Sequence, residues 1–193
     1  MSPRSKAQLS AIKAEKRNLI ISASLKVFSE QGYQASSISN IAAEAGISKG
    51  LIYTYFDSKE DLLRSLLFET IENMFEVSIN ALSGNPTKYE FVQMIRDNIE
   101  WVKENSRFSK IYFGLLLQPN IINMFHDELM ALAQPFFVSI SRYFELAGCD
   151  NPMLETRYFV SVLDGVYMNY IMDPDSYPLK EIENKIIDQI VNI

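Results

Sequence analysis

The segment Ser36–Lys59, reading SSISNIAAEAGISKGLIYTYFDSK, limits what this chain can fold into more than any other. Ile38, Ile41, Ala42 and Ala45 recur at helical spacing and give a short helix one apolar face. Gly46 follows directly, where a residue free to take a positive φ closes a helix. Ser48 is placed to N-cap the next helix, whose inward face carries Ile52, Tyr55 and Phe56. Two short helices joined by a tight glycine turn make a helix-turn-helix, whose second helix enters the major groove of DNA.

Composition narrows the remainder. The 193 residues suit one large domain, or a small domain beside a medium one. Hydrophobic residues make up 48%, with 12 Phe, 10 Tyr and 8 Met, which is enough for a sizeable core. No run of about 18 apolar residues exists, so neither a membrane-spanning helix nor a membrane partner is expected. Residues 1–16 lack the apolar segment of a signal peptide, so the expected location is the cytosol. One cysteine, Cys149, excludes an internal disulfide framework.

The net charge of −6 looks unsuited to a nucleic-acid partner until it is divided along the chain. Residues 1–60 carry eight Lys and Arg against five acids, whereas residues 61–193 carry ten against nineteen. The asymmetry points to a DNA-facing end and an acidic body. Attraction to phosphate is local, within a Debye length of roughly 8–10 Å, so the acidic body is compatible with DNA binding.

Almost the whole chain reads as helix. The first runs from about Ala7 to Gln31, with Ile20, Ala23, Val27 and Phe28 as its apolar stripe. After the helix-turn-helix, Ser58 and Asp61 form a capping box before Leu62, Leu63, Leu66 and Leu67 in a fourth helix ending near Leu82. Thr87 with Glu90 caps a fifth, to about Glu104. A sixth spans about Arg107–Leu117. A seventh spans about Asn120–Leu146, with a kink or break expected at Pro135. Asn151-Pro152 opens an eighth, to about Ile171, and Pro178 begins a last one to about Val191.

The chain resembles the TetR (tetracycline-repressor-like) transcriptional regulators. The likeness is dense over about residues 15–63. Phe28, Gly32-Tyr33, Ser36-Ser37-Ile38, Ile41-Ala42, Ala45-Gly46-Ile47-Ser48, Lys49-Gly50, Tyr53, Tyr55-Phe56, Ser58-Lys59 and Leu62-Leu63 carry it. The rest agrees only in helix number and length, as in a family whose second domain varies with its ligand. The resemblance implies an all-α protein of about nine helices. Residues 1–60 would form a three-helix DNA-binding domain, and residues 61–193 a helical ligand-binding and dimerisation domain.

The expected DNA-facing set is Ser36, Ser37, Ser48, Lys49, Gly50, Leu51, Tyr53, Thr54 and Lys59. Ser36 and Ser37 stand at the start of the second helix, where a hydroxyl caps backbone N–H groups or donates to a phosphate. Lys49 and Tyr53 are four apart and share a face of the third helix. Tyr53 resembles the family's phosphate-contacting tyrosine. Gly50 costs roughly 1 kcal/mol relative to Ala but lets the helix approach the groove floor. Lys59 lies in the first turn of the fourth helix, where the dipole disfavours a cation and a phosphate partner accounts for it. Leu51 and Thr54 depart from the family's usual residues. Leu51 is open to a thymine methyl or to internal packing. Arg4 and Lys6 form either a basic arm or a solvated tail.

Two half-sites call for a pair of chains. Tyr158, Val162, Gly165, Val166 and Asn169 form one stripe and Ile182, Ile186, Ile187 and Ile190 another; by resemblance they build a four-helix bundle in a homodimer. Aromatic residues crowd the region between, from Trp101 to Phe159, interspersed with Met. The resemblance implies an inducer pocket there, with Trp101, Phe113, Met124, Phe125, Phe137 and Tyr167 as the expected lining. Asn98, Gln118, His126 and Tyr167 are the candidate polar handles.

Enzyme chemistry finds no support, since one His, one Cys and no glycine-rich strand-to-helix turn supply no catalytic set. His126, Asp127 and Glu128 are adjacent and do not share a helix face, so no metal site or cofactor is expected. The expected protein is a homodimeric regulator that binds double-stranded operator DNA, a repressor released by a small, largely hydrophobic inducer. An activator of the same architecture, and a small-molecule-binding helical protein with a vestigial helix-turn-helix, are the alternatives.

Overall fold

The computed structural model describes residues 6–116 and 118–191, with the side chains of Lys6, Ala7, Thr70, Val77, Arg107, Leu115, Leu116 and Pro119 outside that description. The basic-arm residue Arg4 and the Lys6 side chain therefore lie outside the described residues. Among these, nine α-helices and no strand are present: α1 Lys6–Gln31, α2 Ile38–Glu44, α3 Lys49–Ile52, α4 Lys59–Asn80, α5 Lys88–Glu104, α6 Ser106–Leu116, α7 Pro119–Leu146, α8 Pro152–Met172 and α9 Leu179–Ile186. A wider π-type turn, Ile187–Val191, continues α9.

The chain forms two compact units, the first ending at Glu69 and the second beginning at Thr70. The division falls within α4, Lys59–Asn80. The fully buried leucines Leu62, Leu63, Leu66 and Leu67 precede it. So does Glu69, whose carboxylate receives both ends of the Arg17 guanidinium from α1.

In the first unit, α1 buries Ile20, Ala23, Val27 and Phe28, α2 buries Ile38, Ile41 and Ala42, and α3 buries Ile52. The turn between α2 and α3 depends on one residue. Gly46 takes φ +63, and its N–H donates to the Ala43 carbonyl while the Ile47 N–H donates to that of Ala42. This is the paired C-terminal bonding of a Schellman motif, which needs a left-handed residue at Gly46. At the start of α4 the Asp61 N–H donates to the Ser58 hydroxyl, while the Asp61 carboxylate accepts from the Asp57 N–H instead of from Ser58.

In the second unit, Thr87 and Glu90 form a complete capping box on α5. Phe91, fully buried, then stacks on Tyr143 of α7 at 3.9 Å between ring centres, and packs against Phe144 and against Phe159 of α8. Helix α7 runs unbroken through Pro135. It ends at Gly148, whose φ of +83 repeats the bonding pattern at Gly46. Asn151 caps α8 by accepting from the Leu154 N–H. Glu183 of α9 is buried, and its carboxylate pairs with Lys180 at 2.6 Å and with Arg96 of α5 at 3.4 Å, tying the last helix to α5.

An alanine at position 46 would hold its Cβ in the left-handed region, a cost of roughly 1–2 kcal/mol. Gly46→Ala should therefore lower the stability of the first unit by about that amount, read from chemical denaturation followed by helical circular dichroism.

Candidate nucleic-acid interface and ligand cavity

The turn at Gly46 sets where α3 begins, and the side chains of α3 divide by helical phase. α3 ends at Ile52, which is fully buried, so Tyr53, Thr54, Tyr55 and Phe56 lie in the turn that follows it, where Phe56 is nearly fully buried. Lys49, Gly50, Tyr53 and Thr54 are exposed, and Leu51 is half-buried between these faces. Tyr53 keeps 48% of its surface accessible. Lys49 and Tyr53 thus share the outer face, as their spacing requires.

The serines and Lys59 are engaged locally. The Ser48 hydroxyl accepts from the Leu51 N–H at 3.2 Å. Ser37 accepts from the Asn40 N–H, and Asn40 accepts in return from the Ser37 N–H, a capping box closed by Asn instead of Glu or Gln. Ser36 is buried, and its hydroxyl donates to the Tyr33 carbonyl at 2.7 Å, turned away from the surface. Lys59 donates to the carbonyls of Tyr33 at 2.8 Å and Ser36 at 2.9 Å, and its ammonium stands 4.4 Å from the centre of the Tyr33 ring. These carbonyls account for a lysine at the start of α4 without invoking a phosphate. The Thr54 hydroxyl donates to the Leu51 carbonyl. The exposed face therefore holds Lys49, Gly50, Tyr53 and Thr54, while Ser36 and Lys59 build its support.

The second unit contains a cavity of about 250 Å³ lined mainly by apolar and aromatic side chains. Trp101, Phe113, Phe137 and Tyr167 line it. Met124 and Phe125, the other two expected lining residues, do not: Phe125 is buried elsewhere and Met124 is exposed. The reason is helical phase. Ile122, His126, Leu129, Ala133, Phe136 and Phe137 form the lining stripe of α7, and Met124 and Phe125 fall beside it. Of the candidate handles, Asn98, His126 and Tyr167 reach the cavity and Gln118 does not. Ile71, Met74 and Phe75 of α4 also line it, as do Tyr112 and Asp164, none of which the sequence reading singled out. The signal for Asp164 was visible as a carboxylate inside the apolar run Val162-Leu163-Asp164-Gly165-Val166.

The polar groups of the cavity differ in how far they are satisfied. Asn98 accepts from the Ser78 hydroxyl and donates to the Met94 carbonyl. His126 meets Asp127 at 3.0 Å on an exposed edge. The Tyr167 hydroxyl is buried without any hydrogen-bond partner. Asp164 lines the cavity and is exposed, with enough protein packed round its carboxyl to remove part of its water. That desolvation pushes its carboxyl up to about 6. The phenols of Tyr112 and Tyr167 are both held well above the usual tyrosine range, by burial first and by the Asp164 charge second.

A carboxyl raised in the folded state loses stability as pH rises from the unfolded value near 4 through about 6. Asp164→Asn removes that cost. The variant should melt a few degrees above the parent at pH 7.5 and at the same temperature as the parent at pH 4, as measured by calorimetry at matched protein concentration.

Comparison with known proteins agrees with this geometry. The family model for bacterial regulatory proteins of the tetR family matches residues 20–66. The fatty acid metabolism regulator protein of Bacillus subtilis is 44% identical over 179 residues, covering 90% of this chain and 92% of the relative. The biofilm operon negative transcriptional regulator IcaR of Staphylococcus epidermidis is 24% identical over 74% of this chain and 82% of its own. The crystal structure of the transcriptional regulator FadR from Bacillus subtilis in complex with stearoyl-CoA superposes with a TM-score of 0.74 at 21% identity, over 90% of this chain and 96% of that one. Three other relatives share shorter stretches, and the chain spans only 37%, 25% and 23% of their lengths. The outward face of α3, the glycine turn that sets it and a full-length relative agree: the chain belongs to the tetR family of bacterial regulatory proteins.

Proposed function

We propose that this protein is a ligand-responsive DNA-binding transcriptional regulator and not an enzyme, a repressor that leaves its operator when a small, largely apolar molecule enters the cavity of the second unit. The observation that carries the reading is the exposed face of α3. A short helix anchored by buried Ile52 presents Lys49, Gly50, Tyr53 and Thr54 to solvent, and Lys49 makes no ion pair among the described residues. Gly50 leaves open space where a side chain would stand, which lets the backbone approach a groove floor. Lys49, Gly50 and half-buried Leu51 then read base edges, while Tyr53 and the capping end of α2 at Ser37 take phosphates. Ser36 and Lys59 hold the turn that presents Ser37, and the Lys59 charge adds positive potential there.

The regulator acts as a homodimer. Leu154, Tyr158 and Met172 are exposed on α8, and Gly165 and Asn169 lie on the same stripe, a face suited to a second copy. Pairing sets two α3 helices about 34–36 Å apart, one turn of DNA. Such a protein works where the chromosome is, in the cytoplasm. Helix α4 begins in the DNA-binding unit and supplies Ile71, Met74 and Phe75 to the cavity wall, so it is the covalent route between ligand and reading head. A ligand favouring a form with misplaced α3 helices shifts the population off the operator. The names of the relatives make an aliphatic chain of the fatty-acid type the first ligand to try. IcaR's description as a negative regulator supports repression over activation.

Binding to DNA flanking the protein's own gene should fall steeply with salt, as measured by fluorescence anisotropy. Lys49→Ala should cost about 1–3 kcal/mol on the operator and relax specificity, whereas Tyr53→Phe should weaken all sequences alike. Absence of salt-sensitive binding to any flanking or selected sequence would overturn the reading in favour of a vestigial helix-turn-helix.

A further inference from the structure

The polar groups of the cavity are arranged for a particular head group. Asp164 and Tyr167 are three residues apart on α8, so their side chains leave the same face of one helix and both line the cavity. Tyr112 of α6 lines the same cavity, close enough for the Asp164 charge to act on its phenol. The Tyr167 hydroxyl, on a side chain 93% buried by its 7% exposure, has no partner. Asp164 has no ion-pair partner among the described residues. Three further polar lining residues, Asn98, Ser109 and His126, are already engaged by Ser78, Met94, Asn105 and Asp127. The cavity wall thus offers an exposed carboxylate that pairs with no cation among the described residues, and on the same helix face a buried phenol that lacks an acceptor. Native proteins leave few buried polar atoms unsatisfied, and those that remain call for a missing partner.

We propose that the cavity recognises an apolar molecule through an uncharged hydroxyl, which donates to the Asp164 carboxylate and accepts from the Tyr167 phenol. The inference rests on reading the cavity as the inducer site. A hydroxyl is the smallest group able to donate and accept at one oxygen, so it satisfies both side chains together. A free carboxylate brings a second negative charge toward Asp164 and has no proton to give. The aromatic wall of Trp101, Phe113 and Phe137 takes the hydrocarbon body.

Trp101 is the sole tryptophan and stands in the cavity wall, so its fluorescence reports occupancy. The full chain is titrated with 1-decanol and with decanoate at pH 8, each below its micelle or solubility limit. Decanol should quench Trp101 and bind at least tenfold more tightly than decanoate. Tyr167→Phe, which removes the orphan hydroxyl and keeps the ring, should weaken decanol about tenfold while raising the melting temperature of the unliganded protein. Asp164→Asn should narrow the gap between the two probes. Equal affinity for both in the parent chain overturns the head-group proposal and leaves the cavity reading standing. So does a Tyr167→Phe variant that binds decanol as the parent does, since water alone then accounts for the polar end. Failure of both probes to change Trp101 fluorescence overturns the cavity reading itself.

Discussion

The second unit depends on the burial of one ring. Phe91 of α5, with no surface accessible, lies against Tyr143 and Phe144 of α7 and Phe159 of α8, and so joins three helices at one point. Rings of this size bury a large apolar area, and their edge and stacked contacts add to it. Tyr143 extends the knot by donating from its hydroxyl to the Val191 carbonyl, which ties α7 to the turn that continues α9. With that core closed, the same helices can stand apart on the side of α6. A cavity of about 250 Å³ lies there, lined mainly by apolar and aromatic side chains.

The first unit answers to a different constraint, local and made of backbone. Its exposed reading face exists because Gly46 can take φ +63 and because Ser37 and Ser48 cap the helices on either side. Lys59 adds a long-range tie to this region, holding the carbonyls of Tyr33 and Ser36 from α4. Each unit therefore solves its own problem, and α4 belongs to both by sequence.

That difference explains what the sequence made legible. Caps, glycine stops and apolar spacing act within a few residues, so the helix-turn-helix, the capping box at Thr87–Glu90 and the Asn151 cap were readable directly. Lys59 was readable as an anomaly, a cation at a helix start. Its partners were not, because Tyr33 and Ser36 lie more than twenty residues away along the chain. In the cavity, Trp101, Phe113, Phe137 and Tyr167 were found by aromatic density, but Met124 and Phe125 satisfy the same criterion from the wrong helical phase. Asp164 escaped notice because a lone acid on a helix ordinarily faces water. In the structure Asp164 is exposed as well, but on the wall of the cavity formed among α4 to α8. Pro135 likewise predicted a disruption that α7 absorbs without breaking.

Under the proposed function, occupancy of this cavity and occupancy of DNA oppose each other in one molecule. Coupling of that kind is reciprocal: the factor by which the ligand weakens operator binding must equal the factor by which the operator weakens ligand binding. The direct measurement follows Trp101 quenching by 1-decanol with and without saturating operator DNA, beside the operator affinity with and without saturating decanol. The account predicts the same loss in both directions, at least fivefold. A decanol affinity unchanged by operator DNA, with decanol bound in the cavity, would contradict it.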